Sequence, residues 1–200
     1  MQECKEFIYM ENNIIIRAVT PDDAEELLKI YSYYVENTAI TYEYTVPTVD
    51  EFRNRIQYTL KHYPYIAAER DGKLLGYAYT GAFHPRAAYA WCVETSIYLD
   101  KDAHGLGLGR RLYNALEAAS HKQNILDMYA CIAVPEHDDE YLTHNSVQFH
   151  EHLGFKTVGY FQNCAYKFGR WYGMVWMHKS IGEHTSSPAA VVPLGEAVRN

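Results

Sequence analysis

Apolar residues recur along this chain with two periods, and the changes between them mark out its elements. Residues 12–19, NNIIIRAV, are a run of branched apolar residues that predicts a first strand. From Thr20 the period lengthens. Ala24, Leu27, Leu28, Tyr31 and Val35 recur at helical spacing, with Thr20 as N-cap, Pro21 at the first helical position and acids in the first turn. An extended stretch, AITYEYTVP, follows. Thr48 and Glu51 then form a capping box for a second helix, whose inner face is Phe52, Ile56 and Leu60. YPYIAAE and KLLGYAYTGAF read as strands flanking the hairpin signal Arg70-Asp71-Gly72. Residues 87–99, AAYAWCVETSIYL, predict a long strand running directly into DKDAHGLGLGRRLY. Beyond that loop Leu108, Leu112, Ala115, Leu116 and Ala119 form the buried stripe of another helix. DMYACIAV, 127–134, is a near-continuous apolar run that suits a central strand. A polar loop, PEHDDEYLTHN, leads to a helix near SVQFHEHLG that Gly154 stops. FKTVGYFQNCAYKFG and RWYGMVWMHK close the pattern as two strands. The order β-α-α-β-β-β-α-β-α-β-β predicts one α/β domain over residues 13–180, with a central mixed β-sheet flanked by helices. Residues 1–12 read as an N-terminal extension. Residues 181–200 read as a Ser/Pro/Ala/Gly-rich tail, flexible or docked.

Composition narrows the function classes. A chain of 200 residues, 48% hydrophobic and 22% charged, has enough apolar surface for one sizeable core. Its net charge of -7 argues against nucleic acid, so a polyanionic ligand would need a local positive site. No run of about 18 apolar residues predicts a membrane span. The opening MQECKEFIYMENN lacks the apolar core of a signal peptide, and the cytoplasm is the expected location. Cys4, Cys92, Cys131 and Cys164 form no C-x-x-C pair; they read as reduced thiols, with Cys92 and Cys131 buried in strands. His150 and His152 would diverge on a helix, while His137 and His144 lie in the polar loop. No metal site is expected.

Candidate chemistry concentrates in the glycine loop. Gly105, Gly107 and Gly109 alternate at the mouth of a helix. The dinucleotide pattern G-x-G-x-x-G fails, since a frame from Gly105 meets Arg110 and one from Gly107 meets Leu112. No Gly-Lys-Ser/Thr closes a P-loop. An anion site still fits. Glycines let backbone N–H groups approach a ligand closely, and a helix N-terminus supplies unpaired donors and the positive end of its dipole. Arg110 and Arg111 add charge.

The order of elements and the stretch HGLGLG resemble the GNAT acetyltransferase superfamily, whose pyrophosphate loop for acetyl-CoA runs Gln/Arg-x-x-Gly-x-Gly/Ala. Gly107 and Gly109 fill its glycine places, and His104 stands at the first. TYEYTVPTVDEFRNRI, GYAYTGAFHPRAAYAWCVETSIYL, SVQFHEHLGF, VGYF and YKFGRWYGMVWM together resemble the phosphinothricin N-acetyltransferase branch. That branch includes acyltransferases for amino acids such as methionine sulfone and sulfoximine. The resemblance spans about residues 13–179. PEHDDEYLTHN departs from it, being longer and more acidic than the family's short Pro-Asn loop.

The resemblance implies an N-acetyltransferase with acetyl-CoA as co-substrate, no metal, a small amino-acid-like amine as acceptor, and a homodimer. Gly105, Leu106, Gly107, Leu108, Gly109 and Arg110 would hold the pyrophosphate. Ile97, Tyr98 and Leu99 would pair with the pantetheine amides, with Asn145 completing the acetyl-CoA site. Glu94 corresponds to the family's base, needed because an ammonium group must lose a proton before it can attack; taken alone, it is a strand-face carboxylate. His150 stands where many members carry a tyrosine that protonates the CoA thiolate, and acid and base roles both stay open. Arg86 would bind the acceptor's anionic group with its planar fork. Tyr42, Glu43, Thr95 and Ser96 would shape the acceptor pocket, and Trp171 and Trp176 mark a candidate dimer surface. Two other readings stand beside this one. An acetyltransferase for protein N-termini or polyamines would use the acidic residues 136–140 to attract its substrate, and a regulatory module would bind CoA without turnover.

Overall fold

The computed structural model describes residues 9–11, 13–103 and 105–197 of the chain. Most of the N-terminal extension, Cys4 and His104 thus lie outside the described residues. Eight strands form one sheet in the order β1-β2-β3-β4-β5-β6-β8-β7. They are β1 (Tyr9–Glu11), β2 (Ile14–Ala18), β3 (Tyr65–Arg70), β4 (Lys73–Ala82), β5 (Cys92–Leu99), β6 (Asp127–Val134), β7 (Lys156–Lys167) and β8 (Arg170–Ser180). Every pairing is antiparallel except β5 with β6. The three-residue β1 lies inside the stretch read as an extension, where its shortness left no pattern to recognise.

Helices cover both faces. α1 (Ala24–Asn37) and α2 (Val49–Leu60) pack Leu27, Tyr31, Phe52 and Ile56 against Tyr65, Leu74 and Tyr77 of the sheet. α3 (Leu108–Lys122) and α4 (Asn145–His152) cover the other side, where Leu108, Leu112 and Leu116 meet Ile66, Val93 and Met128. Thr48 and Glu51 form the expected reciprocal capping box on α2. Asp71 (φ 53°) and Gly72 (φ 78°) are both left-handed, as a tight two-residue hairpin requires.

Three details depart from the pattern-based reading. The strand expected over 87–99 begins only at Cys92, because β4 runs out at the pair Ala82–Val93; Ala87–Tyr89 forms an exposed 3-10 turn instead. Cys92 and Cys131 are half-buried rather than buried. β7 is an edge strand exposed on both faces, carrying Val158, Tyr160, Phe161 and Tyr166.

Beyond β8 the chain turns back beneath the sheet. Ile181 N–H donates to the Leu126 carbonyl (2.8 Å), His184 Nε2 pairs with Asp127 (2.7 Å), and the Trp91 indole N–H donates to the Ala189 carbonyl (2.8 Å). The short α5 (Leu194–Ala197) ends this segment. Among the described residues no helix is long and apolar enough to cross a membrane.

Candidate active site

The one parallel pairing creates the site. β5 and β6 pair over three positions only, Cys92–Asp127, Val93–Met128 and Glu94–Tyr129. Beyond Glu94 they part. β5 stays with β4 as far as Leu99–Gly76, while β6 follows β8 as far as Val134–Gly173. Residues 95–99 therefore face a fork with one edge of the strand unpaired. Backbone groups alternate in direction along a strand, and Asp100 N–H, bonded to the Leu75 carbonyl (2.8 Å), sets the phase. Ser96 and Tyr98 point their backbone groups at β4, whereas Thr95, Ile97 and Leu99 point theirs at the fork. Leu99 is already engaged: Tyr34 Oη donates to its carbonyl (2.6 Å) and receives its N–H (3.3 Å). Of the three residues expected to pair with an extended ligand, Ile97 alone keeps free groups there. A narrow cavity of about 60 Å³ fills the fork, lined by Thr95, Ile97, Ala130, Ile132, Ser146 and His150. The Thr95 hydroxyl, buried at this wall, has no hydrogen-bond partner.

The glycine loop lies beyond the C-terminal end of β5. Gly105 (φ 72°) and Gly107 (φ 65°) adopt left-handed backbone, and a Cβ at either would meet no atom within 4 Å. Both leave an open approach to the start of α3. The first bond of that helix runs from Arg111 N–H to the Gly107 carbonyl (3.2 Å), so the N–H groups of Leu108, Gly109 and Arg110 find no partner within it. No side chain caps α3 and its first turn holds no acid, unlike those of α1 and α2. The exposed Arg110 stands there instead. Gly109 has a different reason to be glycine: a Cβ there would lie 2.7 Å from the Phe149 ring, so it permits α3 to approach α4. Leu108 sends its side chain into the core, and only its backbone is available to a ligand.

Glu94 and His150 approach the fork from opposite faces. Side chains alternate along β5, so Glu94, Ser96 and Tyr98 face α1 and α2, while Thr95, Ile97 and Leu99 face α3 and α4. Glu94 stands at the last paired position, half-buried, and desolvation pushes its carboxyl above the usual 4.5. His150 is 3% exposed. Its Nδ1 donates to the Ser146 carbonyl (2.7 Å), which leaves Nε2 to accept from the Tyr113 hydroxyl (2.6 Å). Burial also pushes its pKa below the usual 6.5, so the ring is neutral with both nitrogens engaged.

This arrangement has a stability consequence. The unfolded chain binds the His150 proton more readily than the folded one. The resulting stabilisation is complete above pH 6.5 and is lost as pH falls below it. His150→Gln should melt lower than the parent at pH 7 yet lose less on going from pH 7 to pH 5.5. Parallel melting curves for the two proteins would remove this role.

Around the mouth, three loops brace one another. Tyr42 Oη donates to the Gly173 carbonyl (2.6 Å), Tyr44 Oη to the Tyr166 carbonyl, and buried Lys167 to the Thr41 carbonyl (2.8 Å). Arg170 binds Asp139 (2.9 Å) and Glu140 (2.8 Å), while Asp138 holds His144 (2.6 Å). Three of the four carboxylates of the acidic stretch 136–140, those of Asp138, Asp139 and Glu140, are thus engaged within the protein. Thr95, Ser96, Ile97, Tyr98 and His150 share the fork cavity; Glu94, at the last pair before it, does not line it, and neither do Tyr42, Arg86 and Asn145. Arg86 lies exposed on the loop after β4, at the start of the 3-10 turn, and among the described residues no ion pair includes it.

A model of the acetyltransferase (GNAT) domain matches residues 16–176. The chain belongs to the GNAT acetyltransferase family. It is 35% identical over 167 residues to phosphinothricin N-acetyltransferase of Alcaligenes faecalis, covering 83% of this chain and 82% of that protein. It is 28% identical over 175 residues to the L-methionine sulfoximine/L-methionine sulfone acetyltransferase of Salmonella typhimurium, covering 87% and 98%. Among solved structures, a GNAT phosphinothricin acetyltransferase from Sinorhizobium meliloti, in complex with acetyl-CoA, superposes with a TM-score of 0.80. That pair is 32% identical and covers 88% of this chain and 94% of the other.

Several residues that shape this GNAT site were not visible in the sequence. Tyr34 lies 65 positions from the backbone it occupies, and Tyr113 lies 37 from His150; no local pattern signals either contact. Arg170 carried a faint signal. It is the one arginine of the final hairpin, opposite an acidic loop.

Proposed function

We propose that this chain transfers the acetyl group of acetyl-CoA to the amine of a small amino-acid-like acceptor, of the phosphinothricin, methionine sulfone or methionine sulfoximine kind. The observation that carries the proposal is the fork: an unpaired strand edge with the raised carboxyl of Glu94 at its base, leading to an uncapped, acid-free helix N-terminus. The fit to acetyl-CoA rests on three features. Ile97 offers backbone groups of the kind an added strand would bind, the Thr95 hydroxyl lacks a partner, and the N–H groups of 108–110 beside Arg110 suit phosphate. Leu99, held by Tyr34, and Tyr98, whose backbone groups face β4, play no such part in this proposal.

Glu94 accepts the proton of the acceptor's ammonium group, directly or through one water, and the freed lone pair attacks the thioester carbonyl. A C–N bond forms, the C–S bond breaks, and the second proton that the nitrogen sheds on acylation passes to the departing thiolate. His150 holds Tyr113 and the start of α4 in place rather than supplying that proton, since its one N–H is bound to Ser146. Relatives named for phosphinothricin and methionine sulfoximine support the acceptor class.

Arg86 is assigned to the acceptor's anionic group. Its exposure calls for a modest effect: Arg86→Ala should raise KM for methionine sulfone about tenfold and leave phenylethylamine nearly unchanged. Equal effects on both amines would remove the assignment. The reading that favours polyamines or protein N-termini has weaker support, because Asp138, Asp139 and Glu140, three of the four carboxylates in residues 136–140, already have partners. We also propose a cytoplasmic homodimer. Its interface would use the apolar edge strand β7 and the exposed Trp171, while Trp176 is half-buried against Phe83.

A further inference from the structure

Among the described residues four glycines lie within strands, Gly76 and Gly81 in β4, Gly159 in β7 and Gly173 in β8. A glycine inside a strand weakens it, so each needs a reason. Three have one in the fold. A Cβ at Gly76 would lie 2.6 Å from Leu99 Cδ2 and 2.9 Å from the Tyr98 carbonyl oxygen, and one at Gly173 would lie 3.0 Å from the Phe161 carbonyl oxygen. Gly159 sits at a register shift of the edge strand β7. Gly81 has none of these reasons. Its backbone is not left-handed, its strand is interior to the sheet, and a Cβ there would meet no atom within 4 Å.

Register puts this unfilled place opposite Glu94. β4 and β5 pair Gly81 with Glu94, and paired residues project from one face of a sheet. On that face Gly81 is flanked along its own strand by two large residues, Tyr79 before it and Phe83 after it. The layer beneath α1 and α2 rests on Tyr77, Tyr79 and Tyr98. On the far side Tyr129, the partner of Glu94 across β5 and β6, stacks on Phe83 at 4.3 Å, and Phe83 meets Trp176 edge-on at 5.5 Å. Gly81 and Glu94, both part-exposed, thus form the floor between two aromatic blocks.

A missing side chain beside a carboxylate suits an amine on a branched carbon. The nitrogen meets the carboxylate, and the carbon with its substituents takes the room that a Cβ would fill. The aromatic blocks offer apolar contact to an aliphatic chain leaving that carbon.

We infer that Gly81 determines acceptor specificity: the notch it leaves between Tyr79 and Phe83 seats the amine-bearing carbon of an acceptor branched there, as in an α-amino acid, against Glu94. The inference rests on Glu94 accepting the acceptor's proton, as proposed above. The glycine serves the acceptor and not the fold.

The test uses Gly81→Ala and Gly81→Val with methionine sulfone, branched at the carbon that bears its amine, and phenylethylamine, unbranched there. Both variants place a better strand former where nothing crowds it, so they should melt at or above the temperature of the parent. Acetyl-CoA should bind both as it binds the parent. For methionine sulfone kcat/KM should fall about tenfold in Gly81→Ala and about a hundredfold in Gly81→Val, since one misfitted methylene in a pocket is worth about 10–200-fold. Phenylethylamine should lose less in each. A Gly81→Val variant that turns over methionine sulfone like the parent, or that loses both amines equally, would overturn the inference and leave acetyl transfer intact. A drop in melting temperature accompanying the loss of activity would also overturn it, because the glycine would then serve the fold. Calorimetric binding of methionine sulfone to the parent but not to Gly81→Val, with no acetylation by either, would leave the notch standing and overturn the acetyltransferase reading.

Discussion

Replacing Glu94 by glutamine should lower kcat by about 10²–10⁴-fold, the usual contribution of a positioned general base, while acetyl-CoA affinity stays near that of the parent. The amide keeps the shape of the side chain and removes its capacity to accept a proton. Glu94 is half-buried at the base of the fork, and desolvation raises its carboxyl above the usual 4.5, toward the range where a base works best near neutral pH. Below that raised pKa the carboxyl is protonated and cannot act. The parent's kcat/KM should therefore fall on an acidic limb placed above that of an ordinary glutamate, and the glutamine variant should lack this limb. A variant within about threefold of the parent would show that another group accepts the proton.

Charge reversal at the glycine loop should have the second large effect. Arg110 is exposed in the first turn of α3, so Arg110→Glu leaves packing untouched while placing a negative charge beside three unpaired N–H groups. The dissociation constant for acetyl-CoA should rise about tenfold or more at low salt. The difference should shrink as ionic strength approaches about 0.1–1 M, where screening lengths fall to about 10–3 Å. Circular dichroism and kcat at saturating acetyl-CoA should hold. Unchanged affinity in calorimetry would move the phosphate site elsewhere. Gly109→Glu is a poorer probe of the same idea, because its Cβ would collide with Phe149 before its charge mattered.

The sequence made some of this legible and hid the rest for a physical reason. Helical stripes such as Leu108, Leu112 and Leu116, the Thr48–Glu51 box and the Asp71-Gly72 turn are local, and the structure has them where the pattern put them. The fork is not local. It exists because β5 and β6 pair over three positions and then follow different neighbours, a matter of register that no stretch of sequence displays. The same holds for Leu99, whose backbone is taken by a hydroxyl 65 residues away, and for the acidic loop, where Arg170 of the final hairpin binds Asp139 and Glu140. The strand expected from Ala87 was misjudged because apolar residues alone do not make a strand without a partner, and β4 ends at Ala82.

The most direct test of the central claim follows the thiol of CoA and the mass of the amine in one reaction. The purified chain is incubated with acetyl-CoA alone, then with methionine sulfone, phosphinothricin, L-tyrosine, spermidine or an N-terminal peptide. Acetyl transfer to an amino-acid amine requires thiol release only when such an acceptor is present, with one acetyl group gained per thiol released. Thiol release with spermidine or the peptide but with no free amino acid would contradict the acceptor class. Tight acetyl-CoA binding with no acetylated amine from any of the five would contradict the claim that this fork is a catalytic site.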